Sequence, residues 1–368
     1  MTQHAHDFTE IPTLDLSLAN DPSTSGKKQL LAQLRHALTN VGFLYIINHG
    51  VPDAVISNLT GTLSHLFSLP LKAKEEIALR NSPHFLGYSQ VGSETTAGKA
   101  DSKEQFEFAT ELDETWSEGG AKPLYERLRG PNQWPSAYPS VRPAVEAYID
   151  ELTLLGERFL RLVAEALSLP PDAFFRFLSD QHRLKLVRYP PVTKASDSTV
   201  QGVGPHKDSS GWWTFILQAS PPHIGGLQAL NKHGAWIDVP VVPGSLVVNI
   251  GQAFEVVTNG VCKATTHRVL LTEPYERFSV PFFQGVRRDL TRAEAIGSLK
   301  DHFDQPEWLH TGAISSEEAR EGKDIDSPFL KGKYDTWGES QLRIRIRSQR
   351  DVGQRYYADV FDKYVCDD

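Results

Sequence analysis

Apolar residues recur every three to four positions through the first half of this chain and every second position through much of the third quarter. From Lys27 to Asn40, Leu30, Leu31, Leu34 and Leu38 share one stripe, which predicts an amphipathic helix. Gly42 punctuates it, and Phe43 to Asn48 reads as a buried strand that follows a shorter alternating segment at residues 11–16. A second helix is expected from about Pro52 to Leu69, and a short charged one from Leu71 to Arg80. Strand-like pieces at Phe85 to Val91 and Gln105 to Ala109 are joined by a Gly- and Thr-containing link. A long stripe follows: Val145, Tyr148, Ile149, Leu152, Leu155, Phe159, Leu162 and Val163, on a scaffold helix starting near Pro143 and ending near Leu167.

From Leu184 the period falls to two. Strands are predicted at 184–189, 202–208, 213–219, 226–230, 235–239, 245–250, 264–271 and 276–284. Eight short strands separated by turns indicate a double-sheet jelly roll, in which inward side chains from different strands can converge on one point. The class is therefore α+β, a jelly-roll core wrapped by helices with an N-terminal α/β subdomain. The expected units are 1–110 (N-terminal subdomain), 111–180 (scaffold helices), 181–290 (jelly-roll core) and 291–368 (C-terminal helical extension). That tail reads as helix at Thr291 to Phe303, Ser315 to Glu321 and Gly338 to Ser348, with Arg343 to Arg350 as a solvated face. His49, His302 and His310 are expected to be structural or surface residues.

Candidate chemistry lies in the barrel. In extended backbone, His206 and Asp208 project from one face while Lys207 points away. A second histidine, His267, sits 61 residues after His206 in another β-prone run. Two imidazoles and a carboxylate form the facial triad suited to non-haem Fe(II), with positions left open for a co-substrate and O2. An isolated His-x-Asp is weak, since most such pairs are solvated; the segment after His267 adds to it. Arg277 and Ser279 form another i, i+2 pair, and a hairpin folded at Thr272 to Glu276 would set Arg277 nearly opposite His267. A guanidinium beside a hydroxyl is a receptor for carboxylate, although a surface ion pair with a glutamate is the plainer alternative.

In order and spacing, His206-x-Asp208, His267 and Arg277-x-Ser279 resemble the Fe(II)- and 2-oxoglutarate-dependent dioxygenases of the isopenicillin N synthase-like branch. The segments Ile11 to Leu16 and Gly42 to Gly50 look like the opening of that branch. The resemblance implies that His206, Asp208 and His267 hold Fe(II), and that Arg277 and Ser279 clamp the far carboxylate of 2-oxoglutarate. Tyr189 resembles a tyrosine that assists this binding, or serves as a core aromatic. Oxidative decarboxylation of the cosubstrate would then be coupled to hydroxylation, desaturation or ring formation on a small molecule. Trp212, Trp213 and Phe215 follow the metal pair; rings facing the cavity would favour a bulky apolar natural product, with core packing as the competing explanation. Two departures bear on the substrate: Thr214 falls one residue later than is common, and Gln252 stands where an aspartate is frequent. An oxidase of the same fold that needs no 2-oxoglutarate, with Arg277 on a substrate carboxylate, and a silent jelly-roll binding protein are the alternatives.

Composition acts mainly by exclusion. A net charge of −8 argues against a nucleic-acid partner, and no apolar run approaches the roughly 20 residues of a membrane helix. Only Cys262 and Cys366 are present, so no disulfide framework is implied and a reducing cytoplasm suits the chain. The start of the chain lacks the pattern of a signal peptide, and His4 and His6 are discounted as terminal. Oligomeric state leaves no mark in the sequence.

Overall fold

The computed structural model describes residues 8–366 except 22–23, 97–98, 193–199, 210, 273, 310–326 and 332–333. His4, His6, His310 and the helix expected at Ser315 to Glu321 lie outside the described residues. No helix among the described residues is long and apolar enough to cross a membrane.

The leucine stripe near the N-terminus forms α1 (Thr24–His36), which runs into a π-turn at Ala37–Val41 and stops at Gly42. Gly42 has φ +73°, and a Cβ there would fall 2.4 Å from the Lys263 carbonyl oxygen, so only glycine fits the corner. Next come α2 (Asp53–Phe67), α3 (Leu71–Glu76) and α4 (Val141–Ala166), the long scaffold helix. A short α5 (Gln252–Val257) falls inside the barrel segment.

The strands are β1 (Thr13–Asp15), β2 (Phe43–Ile47), β3 (Gly87–Ser89), β4 (Thr95–Thr96), β5 (Lys99–Ala100), β6 (Glu104–Ala109) and β7 (Arg183–Tyr189). They continue as β8 (Val200–His206), β9 (Trp213–Gln218), β10 (Leu227–Leu230), β11 (Trp236–Asp238), β12 (Ser245–Ile250), β13 (His267–Leu271) and β14 (Arg277–Phe283). A major sheet of eight strands runs β1-β2-β12-β9-β14-β7-β6-β3, and a minor sheet of four runs β11-β10-β13-β8. Each of the eight strands expected from Leu184 onward has a counterpart within three residues at either end.

Alternation divides the major sheet between two cores. Its outer face packs on the helices, where Phe159 of α4 meets the rings of Trp213 at 5.1 Å and Phe215 at 5.7 Å. The inner face contributes Val187, Tyr189, Ile216 and Val247 to a second core shared with Val203, Leu227, Ala229 and Val269 of the minor sheet. Segments from the N-terminal part complete the sheet: β2 pairs with β12, and β6 pairs with β7.

One expected pairing is absent. The strands holding His267 and Arg277 form no hairpin: β13 pairs with β8 and β10, whereas β14 pairs with β7 and β9. The five-residue link is long enough to step between sheets about 10 Å apart. His267 and Arg277 therefore belong to opposing sheets, on either side of the cavity, and not to adjacent positions of one.

Candidate active site

Register brings the triad together. His267 at the start of β13 lies opposite His206 at the end of β8, with ring centroids 4.2 Å apart. Asp208 lies two residues beyond the end of β8, in irregular backbone held by the Gln252 amide donating to its backbone carbonyl at 2.8 Å. Its Oδ1 is 3.6 Å from His206 Nε2 and 3.8 Å from His267 Nε2, and one ligand atom of each residue falls within 4.8 Å of the others. Asp208 and His267 are buried, while His206 is part-exposed.

The atoms that do not face the common point are already engaged. Thr214 Oγ1 donates to Asp208 Oδ2 at 2.5 Å and Asn249 Nδ2 donates to the same oxygen at 2.6 Å, which leaves Oδ1 free. His206 Nδ1 contacts the Gly204 carbonyl at 2.9 Å, and His267 Nδ1 that of Thr265 at 3.1 Å. Protons on Nδ1 would satisfy those carbonyls and turn both Nε2 lone pairs toward Asp208 Oδ1. Burial alone would raise the Asp208 carboxyl, but the neighbouring His267 and His206 and the Thr214 hydrogen bond outweigh it and hold the group well below the usual range. Burial, reinforced by His206 and opposed by Asp208, pushes the His267 imidazole down to about 4. Two neutral imidazoles with one carboxylate are a donor set that fits a divalent iron.

Across the cavity, Arg277 and Ser279 lie on the inner face of β14, with Tyr189 paired opposite Arg277. Arg277 is 2% exposed, its guanidinium carbon 5.0 Å from the Tyr189 ring centre. Nη2 donates to Gln218 Oε1 at 3.0 Å, but Nε and Nη1 are buried without a hydrogen-bond partner among the described residues. Burial lowers this guanidinium, opposed by Tyr189, yet an arginine remains charged at neutral pH. A buried cation with unspent donors, each costing about 1–3 kcal/mol if left so, fits an incoming carboxylate.

Trp212, Trp213 and Phe215 require correction as pocket residues, because none of them lines the cavity. The ring of Trp212 packs against Phe174, Phe177 and Phe254, and Trp213 and Phe215 face α4. Their alternates in β9, Thr214 and Ile216, face inward. The late Thr214 is accommodated before β9 begins, where Trp212 donates to the Gln284 carbonyl and accepts from Gly251 outside the strand. Gln252 supplies its backbone amide to Asp208, as described above.

The cavity itself, about 300 Å³, is large enough for small ligands and heavily charged. Glu94, Lys103, Gln105, Glu107 and Lys185 line one end, closed by Gln341, Ile344 and Arg345 of the helix Trp337–Ser348 in the C-terminal part. Arg345 reaches Glu107 at 2.9 Å, so the arginine-rich segment expected as a solvated face sends one member inward. None of these wall residues was legible as a site residue. The one available signal was polar residues at alternate positions, Gln105 and Glu107, interleaved with Phe106 and Phe108. His49 and His302 take structural roles: His49 Nδ1 is 3.2 Å from the Val51 amide, and His302 Nε2 is 2.8 Å from the Leu167 carbonyl.

Comparison with known proteins bears on both halves of the chain. Residues 11–137 match a family model described as non-haem dioxygenase in morphine synthesis N-terminal, and residues 180–286 match the 2OG-Fe(II) oxygenase superfamily. The 2-oxoglutarate-dependent dioxygenase frbJ of Dothideomycetidae sp. (strain 11243) is 42% identical over 95% of this chain and 92% of its own. Homoarginine-6-hydroxylase 2-ODD-C23 of Glycine max is 30% identical over 80% of this chain and 91% of its own. A full-length protein of Neurospora crassa, solved as a crystal structure in complex with alpha-KG, shares the fold at a TM-score of 0.66 and 22% identity, over 91% of this chain and 95% of that one. By these matches and its jelly-roll architecture, the chain belongs to the 2OG-Fe(II) oxygenase superfamily and is a 2-oxoglutarate-dependent dioxygenase that works with Fe(II) on a small molecule.

Proposed function

We propose that His206, Asp208 and His267 hold the iron, that Arg277 and Ser279 bind the far carboxylate of 2-oxoglutarate with Tyr189 packed against the guanidinium, and that the reaction is hydroxylation of an unactivated C–H bond. The observation that carries this reading is the opposition of two half-built sites across one cavity. The triad on one side has Asp208 Oδ1 and both Nε2 atoms turned to a common point; the buried Arg277 on the other has donors to spare. Iron and cosubstrate supply the oxidising power, and the protein supplies placement. Asn249 and Thr214 fix the Asp208 carboxylate, the Gly204 and Thr265 carbonyls fix the imidazoles, and Gln218 fixes the guanidinium.

Hydroxylation is preferred over desaturation or ring formation because the soybean relative carries the name of a hydroxylase. The oxidase alternative would put Arg277 on a substrate carboxylate and form no succinate. With the three rings in the helical core, nothing remains to support a bulky apolar substrate, and we propose a polar one. A cytoplasmic location is supported by the unpaired Cys262 and Cys366.

The test is succinate formation by the iron-loaded protein. Stoichiometric conversion of 2-oxoglutarate is expected, together with loss of turnover in His206→Ala, Asp208→Ala and His267→Ala. Turnover at the normal rate in any of these three variants would sink the ligand assignment, and oxygen uptake without succinate would favour the oxidase.

A further inference from the structure

The charged end of the cavity is unevenly paired. Glu107 receives Arg183 at 2.8 Å and Arg345 at 2.9 Å, and Glu94 receives Lys103 at 2.8 Å and the amides of Gln105 at 2.8 Å and Gln349 at 3.0 Å. Asp101 lies 3.8 Å from Lys103. Among the described residues, Lys185 has no such partner. Its ammonium is 3.8 Å from Glu107 and 4.0 Å from Glu94, beyond hydrogen-bond distance from both. Among the described residues of this cluster four cations, Lys103, Arg183, Lys185 and Arg345, meet three carboxylates, Glu94, Asp101 and Glu107, a surplus of one positive charge in a largely desolvated place.

A second, independent vacancy has the opposite polarity. Gln105 is 1% exposed, and its Oε1 has no hydrogen-bond partner among the described residues. Its orientation is set, because Nε2 donates to the Glu94 carboxylate; turning the amide over would oppose two acceptors. Gln105 is paired with Val187 across β6 and β7, and Glu107 with Lys185, so the two vacancies are on diagonal neighbours about 7–8 Å apart, within reach of one small group. Along β7, Lys185 is four residues from Tyr189, about 13 Å from the end of the cavity that holds Arg277. That separation leaves the cosubstrate end and the charged end as distinct subsites.

We infer that the substrate presents a carboxylate to Lys185 and an adjacent N–H to Gln105 Oε1, as the head group of an amino acid or an N-acylated amino acid does. The proposal rests on the oxygenase reading above and adds the substrate class. An incoming carboxylate removes the surplus charge, and the neighbouring nitrogen fills the orphan acceptor, so both desolvation costs are relieved by one head group.

The experiment is a screen of free L-amino acids and their N-acetyl derivatives, each with its methyl ester and its decarboxylated amine or amide. The readout is the stimulation of succinate formation by the Fe(II)- and 2-oxoglutarate-loaded protein. At least one free acid is expected to stimulate tenfold or more, with an ester at least tenfold weaker in kcat/KM. In Lys185→Met the acid and its ester should become alike, Lys185→Arg should restore the preference, and Gln105→Met should raise the KM of the acid by tenfold or more. Thermal unfolding of each variant verifies that it is folded. A screen in which only esters or amines stimulate, one silent throughout, or a Lys185→Met variant that keeps its preference would overturn the inference while leaving the oxygenase intact. Absence of succinate under every condition, including substrate-free turnover, would instead strike the oxygenase reading itself.

Discussion

At the scale of single residues, the site depends on side chains that touch neither iron nor cosubstrate. Asp208 can offer one oxygen because Thr214 and Asn249 occupy the other. Asn249→Ala is expected to weaken Fe(II) binding by about 10–100-fold, as loss of an orienting hydrogen bond commonly does, and anaerobic iron titration would show it. An unchanged affinity would mean that Thr214 alone orients the carboxylate. Arg277→Ala removes a charge-assisted contact worth about 1.5–3 kcal/mol per hydrogen bond, so the KM for 2-oxoglutarate should rise about 100-fold with iron still bound. Should that KM stay put, the carboxylate receptor lies elsewhere. The His-x-Asp pair, weak alone, was legible because His267 and the Arg277-x-Ser279 pair follow it in order. Asn249 and Gln218 were not, since a lone amide in a strand has many uses and only the fold shows what it faces.

At the scale of elements, periodicity located most of the helices and strands but could not decide between the two faces of β9. A strand covered on both sides carries apolar residues in both registers, so Trp213 and Phe215 read equally well as cavity lining or core. The outer face won because α4 lays Phe159 against both rings. Phe159→Ala should therefore cost about 3–5 kcal/mol in denaturant unfolding, the usual penalty for emptying a buried aromatic site. A loss below about 1 kcal/mol would contradict that packing. The expected β13–β14 hairpin failed for a related reason: alternation defines a strand's faces and says nothing about its edge partners.

At the scale of the whole molecule, the buried charges tie the C-terminal helix to the barrel through Arg345 and Glu107. Burial alone would raise the Glu107 carboxyl, but Arg345, Lys185 and Arg183 pull it from 4.5 down to about 2. A depressed carboxyl contributes stability that is complete above the unfolded pKa and is lost as pH falls toward the folded one. Unfolding free energy should thus drop by about 3 kcal/mol between pH 4.5 and 2, and Glu107→Gln should flatten that part of the profile. Equal slopes in the two proteins would place the acid sensitivity in other carboxylates.

The sequence by itself determined most of the helices, the eight barrel strands, the three candidate metal ligands and the basic residue that faces them, because each follows from local spacing or from rare residue types. Tertiary structure alone decided which sheet each strand joined, which faces of the aromatic strand turned inward, and which charges gathered at the far end of the cavity. Those outcomes depend on neighbours brought from elsewhere in the chain: β6 from the N-terminal part, Lys185 from the barrel and Arg345 from the last helices. No local pattern records that meeting, since a charged residue looks the same in sequence whether it faces solvent or a buried wall.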